Sequence, residues 1–434
     1  MSHSTRLGLA AAAFLLALTV TALSAGQIRP QEIRLDALKI PALIAGSSGP
    51  VELEAMVVRP DDGLPHPLAV LNHGSPRDAS DRATMTPYRM WAQAVAFARR
   101  GWVAVAFMRR GYGHSQGRPA GNFGSCANPD YASAGRADAS EIAAVAKFMS
   151  SQPYVSKGKW ISVGVSAGGF ATMALTSDPP QDLAAAISFA PGRGSSGPDT
   201  VCGERQLVSA FAQYGRTSRL PLLWISAEND HFFGPRLVSQ LTRAFSHAGV
   251  NLTFVATPPF GSDGHQLFNA AGIPIWSPIV ARFLVVNNLR LREQPLEISL
   301  PDVAAPSSLN ARGREAFKTY LERGPNKAFA VGSHSHFGWT TGRGTIDQAT
   351  AMRWLSAWQM LPPNAGSSTS TTSRCNKGRP TLRKVRSQSP ARMAGPDASG
   401  TQVLRRAATG RWSPRTARSS FRSCRSGSRT RTAR

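Results

Sequence analysis

The chain has 434 residues, of which 42% are hydrophobic and 17% are charged. This length and composition suit one large α/β domain with additional material better than three small domains. The formal net charge is +25, but residues 361–434 hold 17 Lys and Arg against one acid, Asp397, which leaves about +9 for the rest of the chain. We therefore expect no specific nucleic-acid binding by the body of the chain.

The first 26 residues have the composition of a secretory signal peptide. Residues 1–6 make a short basic start, residues 7–23 form an almost unbroken apolar run, and small residues follow at 24–26. This pattern predicts cleavage near residues 24–26 and a periplasmic or secreted protein. A retained membrane anchor is the alternative, because the apolar run is just long enough to span a bilayer.

Between residues 27 and 288 apolar runs alternate with amphipathic stretches. Strands are predicted at residues 32–40, 51–58, 67–72, 102–108, 159–163, 183–189, 221–226 and 251–256. Helices are predicted at residues 87–100, 137–150, 169–177, 206–214, 235–248 and 278–286. This order predicts an α/β domain that starts with an antiparallel pair and continues as a mostly parallel sheet with helices on both faces.

The pattern changes beyond residue 288. Residues 289–310 read as a linker, and residues 311–358 predict a small α+β module with helices at 311–323 and 345–358 around a hairpin of strands 327–331 and 336–340. His334 and His336 lie close together in this module. Metal binding is one interpretation, but two histidines without a nearby third ligand favour a surface turn, so no metal site is expected.

Residues 359–434 lack apolar periodicity and are rich in Ser, Thr, Arg and Pro, which predicts a disordered tail. One interpretation is a basic tail that binds anionic polymers or a membrane surface. The other, which we favour, is a frameshift or chance extension, since 15 of the 17 basic residues after position 360 are arginine. Translation of the other two frames downstream of Ala351 tests this hypothesis, which fails if neither continues a globular pattern.

A serine motif follows the predicted strand 159–163. Residues 164–168 read Gly-Val-Ser-Ala-Gly, which has the form G-x-S-x-G between a strand and a helix. In such a turn the serine adopts a strained backbone conformation, and the residues two positions away must be small. Ser166 is therefore the predicted nucleophile, at the carboxyl end of a strand and the N-terminus of a helix.

A serine hydroxyl needs a general base that is itself oriented by a carboxylate. His265 is the predicted base, because it follows strand 251–256 through a flexible turn. Asp230 is the predicted acid, because it lies a few residues beyond strand 221–226. Glu228 and Asp263 remain alternatives for the acid. The chain order Ser, Asp, His is the one expected for an α/β-hydrolase sheet.

Two amides would hold the developing oxyanion. The first is that of Ala167, directly after the nucleophile, and the second is that of Ser75, after strand 67–72. Two long glycine-rich loops, residues 111–135 and 191–204, would build the substrate walls. The aromatic residues expected to line these walls are Tyr112, Phe123, Phe232 and Phe233.

Export would deliver the chain to an oxidising compartment, where its four cysteines can form disulfides. Cys126 and Cys202 lie in the body of the chain, within the two long loops, whereas Cys375 and Cys424 lie in the tail. We expect Cys126 to form a disulfide with Cys202, which would tie the two loops together; two unpaired thiols are the alternative.

Five segments carry a family resemblance: Asn-His-Gly-Ser-Pro at 72–76, Arg-Gly-Tyr-Gly-His-Ser at 110–115, Gly-Val-Ser-Ala-Gly-Gly at 164–169, Glu-Asn-Asp-His-Phe-Phe at 228–233 and Asp-Gly-His at 263–265. Over residues 33–288 the chain resembles the α/β-hydrolase superfamily, in particular its dienelactone-hydrolase-like and related esterase branches. The resemblance implies an eight-stranded sheet and hydrolysis of a carboxylic ester or related acyl bond. Dienelactone hydrolases use a cysteine where this chain has Ser166, which favours ordinary ester hydrolysis over lactone chemistry.

The predicted function is thus that of an exported serine hydrolase with a small-molecule ester or acyl substrate and no metal or organic cofactor. A serine peptidase of the same fold is the nearest alternative, because a triad does not distinguish an amide from an ester. A non-catalytic protein that binds a polymer through residues 311–358 and the basic tail is an alternative of another class.

Overall fold

A central sheet with helices on both faces organises the molecule in a computed structural model, which describes residues 33–44, 47–246, 249–298, 300–331 and 336–351. The predicted signal peptide at 1–26, the tail at 359–434 and the second half of the helix predicted at 345–358 lie outside the described residues. Within the described ranges, no helix is both long enough and apolar enough to cross a bilayer.

The described strands follow the predicted order along the chain. They are β1 (Ile33–Ala42), β2 (Val51–Pro60), β3 (His66–Asn72), β4 (Val103–Phe107), β5 (Val155–Val165), β6 (Leu183–Phe189), β7 (Ser195–Gly197), β8 (Thr200–Val201), β9 (Leu222–Ala227), β10 (Leu252–Thr257), β11 (Ala328–Val331) and β12 (Phe337–Thr340). The short β7–β8 hairpin lies in the loop 191–204, where no strand was predicted. Its two strands have only three and two residues, which are too few to show apolar alternation in the sequence.

Eight of these strands form the central sheet, in the order β1-β2-β4-β3-β5-β6-β9-β10. The pairs β1–β2 and β2–β4 are antiparallel, and the remaining pairs are parallel. The prediction of an antiparallel start followed by a parallel sheet is confirmed. In a sheet of this kind the carboxyl ends of the parallel strands meet at one edge, which is where the candidate site lies.

The helices that cover the sheet and the C-terminal module are α1 (Trp91–Arg99), α2 (Tyr131–Ser150), α3 (Ala167–Ser177), α4 (Glu204–Gly215), α5 (Pro235–Ser246), α6 (Ile273–Val286) and α7 (Ala311–Glu322). Two of them begin five or six residues earlier than predicted. Helix α2 begins six residues before position 137, because the Asp130 side chain accepts a hydrogen bond from the Ser133 amide and caps it. Helix α6 begins at Ile273 with a proline in its first turn, where a missing N–H carries no penalty.

Two apolar clusters fill the space on either side of the sheet. In β3, Leu68 and Val70 pack into the cluster with α2–α5, whereas Ala69 and Leu71 pack into the cluster with α1 and α6. All four side chains are at most 1% exposed. Side chains alternate between the faces of a strand, so a central strand that is apolar at every position must be covered on both sides.

The C-terminal module has its own small core around Phe317, Tyr320 and Phe329. Lys327 donates hydrogen bonds to the carbonyls of Tyr320, Leu321 and Arg323, where α7 ends. Burial lowers the pKa of this ammonium to about 8. The last carbonyls of a helix have no partner within the helix, so Lys327 caps the C-terminus of α7.

His334 lies outside the described residues, so the two-histidine turn stays a prediction. Across the described part of the chain, no three His, Cys, Asp or Glu side chains lie close enough together to hold a metal ion.

Candidate active site

Ser166 lies at the turn between β5 and α3 with φ 56° and ψ −121°. This is a strained conformation for a residue with a side chain. A side chain at Gly164 would collide with the backbone of Gly168, and one at Gly168 would collide with the carbonyl of Asn72. The two glycines of the motif are therefore required for the steric reason that was predicted. The turn closes only when both flanking positions lack a Cβ atom.

The backbone around Ser166 is held by its neighbours. The Ser166 amide donates to the carbonyl of Phe189 at 2.9 Å, and its carbonyl accepts from the Phe170 amide at 2.8 Å. The side chain faces a cavity and is largely buried. This places a hydroxyl at the carboxyl end of β5 and at the N-terminus of α3, where the helix dipole favours negative charge.

His265 and Asp230 are in direct contact. Nδ1 of His265 lies 3.0 Å from Oδ2 and 3.2 Å from Oδ1 of Asp230. The carboxylate is held in turn by the amides of Phe232 and Phe233, which donate to Oδ1 at 2.7 and 3.0 Å. An imidazole that donates from Nδ1 to a buried carboxylate leaves Nε2 available to accept a proton.

The two alternative acids have different surroundings. Glu228 is exposed. Asp263 uses Oδ1 to accept hydrogen bonds from the amides of His231 and His265, each at 3.0 Å, so it shapes the turn rather than contacting the imidazole. Of the three acids considered, Asp230 is the one that contacts the His265 ring.

An aromatic pair surrounds the His265 imidazole. The ring of Phe232 lies parallel to it, with centroids 3.9 Å apart and 10° between the planes. The ring of Phe233 approaches from the side at 5.6 Å. On its other face, Phe232 carries the guanidinium of Arg77, 3.5 Å from the ring centroid. His265 therefore has one face covered and an edge contact, which restricts its rotation.

Phe232 and Phe233 also connect His265 to Ser166, since both rings line the cavity that Ser166 lines. A hydrogen bond between Ser166 Oγ and His265 is not among the contacts of the described residues. Catalytic hydrogen bonds are often long in unliganded structures and shorten only when substrate is bound. The structure thus brings the three predicted residues to one edge of the sheet and joins two of them directly.

The segment after β3 passes over the serine. A Cβ atom at Gly74 would lie 3.1 Å from Ser166 Cβ, so the glycine allows the backbone to approach closely. The next residue, Ser75, lines the cavity together with Ala167. Its hydroxyl is 2.7 Å from the Tyr112 hydroxyl. The two residues whose amides were predicted to hold the oxyanion are therefore on the wall around Ser166.

A buried histidine supports this segment. His73 Nδ1 donates to the Gly74 carbonyl at 2.6 Å, and Nε2 accepts from the Arg109 amide at 3.1 Å. Burial lowers the pKa of His73 well below its usual value, and the positive charge of Arg109 lowers it further. The imidazole is therefore neutral, with its single proton on Nδ1, in agreement with these contacts.

The cavity in front of Ser166 has a volume of about 270 Å³. The four aromatic residues predicted as its walls all line it: Tyr112, Phe123, Phe232 and Phe233. Cys126 and Cys202 line it too and are joined by a disulfide across 76 residues of sequence. The bridge links the two long loops on this side of the sheet.

The sequence analysis did not predict three arginines that line the cavity: Arg77, Arg82 and Arg193. Arg193 is buried and pairs with Asp138 of α2, which also faces Arg109. Asp138 could have indicated this buried ion pair from sequence, because an acid on the apolar face of an alanine-rich helix needs a buried partner. The arginines offered no such signal, since Arg77 and Arg193 lie in loops and Arg82 lies in a 3-10 helix of only six residues, Ala79–Thr84, which is too short to show apolar periodicity.

Residues 48–230 match the family model of X-Pro dipeptidyl-peptidase (S15 family). The matched stretch includes Ser166 and Asp230 and ends before His265. Together with the order of the sheet strands and the strained serine after β5, this match decides the fold. The chain has the α/β-hydrolase fold. The match and the fold support an enzyme of the hydrolase class.

Several solved structures are similar to this chain at low sequence identity. The Pyrococcus furiosus esterase Pf2001 is 14% identical with a TM-score of 0.41, and the match covers 58% of this chain and 93% of the esterase. Thermogutta terrifontis esterase 2 is 18% identical with a TM-score of 0.41, covering 58% and 94%. The Pyrococcus horikoshii acylaminoacyl peptidase is 15% identical with a TM-score of 0.41, covering 61% and 44%. No curated protein matches the sequence significantly.

Proposed function

We propose that this protein is a serine hydrolase that cleaves a carboxylic ester through Ser166, His265 and Asp230. The proposal rests on the hydrogen bond between His265 Nδ1 and Asp230, next to a strained serine that shares a cavity with the two phenylalanines around that imidazole. A serine, histidine and carboxylate at one sheet edge form the arrangement that acyl transfer requires.

In the first half of the reaction, Ser166 Oγ attacks the acyl carbon while His265 Nε2 accepts the hydroxyl proton. The carbonyl oxygen becomes an oxyanion, held by the amides of Ala167 and Ser75. His265 then donates its proton to the departing alcohol, which leaves an acyl-enzyme. Water attacks this ester by the same steps in reverse, and releases the acid and free Ser166.

Asp230 orients the imidazole and stabilises its protonated form during both halves of the reaction. Its two amide partners, Phe232 and Phe233, hold the carboxylate in position. The oxyanion amides act on charge that develops only in the transition state. Loss of one such donor costs on the order of 10²- to 10³-fold in turnover.

Peptide hydrolysis is the second candidate, since the family model that matches residues 48–230 is that of an X-Pro dipeptidyl-peptidase. The same triad serves amides and esters, so the walls of the cavity decide between them. A peptidase that removes dipeptides must hold a free α-ammonium, for which an acidic side chain is suited. Among the described residues, those that line the cavity include arginines but no aspartate or glutamate.

Active-site labelling tests the mechanism. We expect a fluorophosphonate probe to label the wild type and not Ser166→Ala, and Asp230→Asn to lower the turnover of a p-nitrophenyl ester by about 10⁴-fold, as in other triads. Glu228→Gln is the matched control and should retain full activity. Folded wild-type protein that is not labelled would overturn the proposal. Parallel assays with p-nitrophenyl esters and X-Pro anilides then separate the esterase from the peptidase.

We also propose that the enzyme is exported. The leader at residues 1–26 supports this proposal, and so does the disulfide, because disulfides persist in oxidising compartments. Expression of the full gene followed by N-terminal sequencing of the mature protein tests it. A mature N-terminus near residues 24–27 in the periplasm or medium is expected, and an intact leader on intracellular protein would overturn it.

A further inference from the structure

The charged residues that line the cavity in front of Ser166 are all positive in the described part of the chain. Arg77, Arg82 and Arg193 line this cavity, and within the described ranges no aspartate or glutamate does. The rest of the wall is aromatic, small or polar but uncharged. A concave site lined by one sign of charge concentrates ligands of the opposite sign.

The three arginines differ in how far their charge is already compensated. The Arg193 guanidinium forms an ion pair with the buried Asp138 carboxylate. Arg77 and Arg82 form no ion pair with any acidic residue of the described part of the chain. Two positive charges at the cavity are therefore left for a ligand.

Arg77 is held in place without being neutralised. Its Nε donates to Ser195 Oγ at 3.0 Å, and its Nη2 donates to the carbonyls of Gly197 and His231 at 3.1 Å each. Its guanidinium also stacks on Phe232 at 3.5 Å. A guanidinium fixed by neutral oxygens keeps its full charge and loses little rotational freedom when it binds an anion.

Arg82 lies on the Tyr112 side of the same cavity. Its guanidinium is 5.5 Å from the centre of the Tyr112 ring. Its Nε atom is buried and has no hydrogen-bond partner. A buried donor without a partner is unfavourable, and an anionic ligand that accepted a hydrogen bond from this N–H would relieve this.

We infer that the substrate carries a carboxylate, which Arg77 and Arg82 bind while its ester group faces Ser166. This inference rests on the proposed esterase function and specifies its substrate class. Nε and Nη2 of Arg77 already donate to the protein, which leaves the N–H groups of Nη1 to donate to a carboxylate oxygen. The same charges repel the α-ammonium of a peptide, so the cavity selects against a free peptide N-terminus.

Two pairs of isosteric esters test the inference, with the carboxylate on the acyl or on the alcohol side. They are p-nitrophenyl hydrogen adipate with p-nitrophenyl adipamate, and 4-acetoxybenzoate with 4-acetoxybenzamide. We expect kcat/KM to favour the carboxylate in at least one pair. Arg77→Gln and Arg82→Gln should each lower this preference roughly tenfold. The ratio within a pair is the readout, because a general loss of activity cancels from it.

Two controls sharpen the comparison. Arg136→Gln removes an exposed arginine of α2 that does not line the cavity, and it should leave the ratio unchanged. Added salt should weaken the preference, because partly exposed charges are screened. Equal kcat/KM within both pairs, or a preference that survives both cavity variants, would overturn the inference.

A binding measurement keeps the inference testable if turnover fails. Calorimetry with Ser166→Ala should show tighter binding of adipate than of adipamide, and Arg82→Gln in the same background should remove the difference. Equal binding of the two compounds overturns the inference. Fluorophosphonate labelling of the wild type reports separately on the proposed function, so the two failures are distinguishable.

Discussion

The ring of Phe232 lies flat against the imidazole of His265, with 3.9 Å between the centroids. Phe232 also donates its amide to Asp230, the carboxylate that contacts the same imidazole. One residue thus restrains both the proposed base and the proposed acid. Its backbone acts on Asp230 and its side chain acts on His265.

We expect Phe232→Leu to lower the rate of fluorophosphonate labelling about tenfold, because the imidazole gains rotational freedom while the amide contact to Asp230 persists. Phe232→Tyr keeps the stacked ring and should retain most of the rate. Stopped-time labelling of the three proteins measures the effect. Equal rates in all three would show that the stack has no part in positioning His265.

The turn at Ser166 tolerates no side chain at Gly168. A Cβ atom there would collide with backbone atoms of Asn72 and His73, which cannot move independently of β3. We expect Gly168→Ala to destabilise the fold by at least about 3 kcal/mol or to prevent soluble expression. Urea denaturation of the purified variant measures the change.

Gly49→Ala is the matched control, because nothing lies within 4 Å of the added methyl group. It should keep the wild-type urea midpoint. A soluble Gly168→Ala variant of wild-type stability would contradict the steric explanation of the motif.

Asp138 is the carboxylate on which two buried arginines, Arg109 and Arg193, depend. Its substitution by Asn would remove the ion-pair partner that both guanidinium groups share. We therefore expect Asp138→Asn to lower the free energy of unfolding by about 3–5 kcal/mol. Glu315→Gln breaks an exposed pair with Lys318 and should cost less than about 1 kcal/mol. Similar losses in both variants would contradict this prediction.

His73 makes stability depend on pH in a defined direction. Burial, and then Arg109, lower its pKa in the folded state below the usual 6.5. The unfolded chain therefore binds a proton at His73 more readily, so this contribution to stability is fully present above about pH 6.5 and declines as the pH falls below it.

We expect the urea midpoint of the wild type to fall between pH 7.5 and pH 5.5 by more than that of His73→Asn, which cannot titrate at this position. The comparison isolates His73, because the other titrating groups are common to both proteins. Parallel pH profiles would show that His73 does not contribute to the decline.

The sequence by itself determined the order of the central strands along the chain and the identity of the serine turn. Both depend on local constraints, namely unbroken apolar runs in strands that are buried on both faces and glycines where a Cβ atom would collide. It also indicated Asp230 and His265, because each follows a parallel strand and such strands end at one edge of the sheet.

Only the tertiary structure decided which acid contacts the imidazole and what surrounds the serine. Glu228, Asp230 and Asp263 occur in similar local sequence, and only their positions in space distinguish a contact with His265 from an exposed or turn-forming role. Arg77 reaches the cavity from a loop and Arg82 from the short 3-10 helix Ala79–Thr84, and neither segment has a periodicity that predicts the direction of a side chain. Their uncompensated charge is a property of the assembled cavity, because it depends on which acids lie nearby in three dimensions.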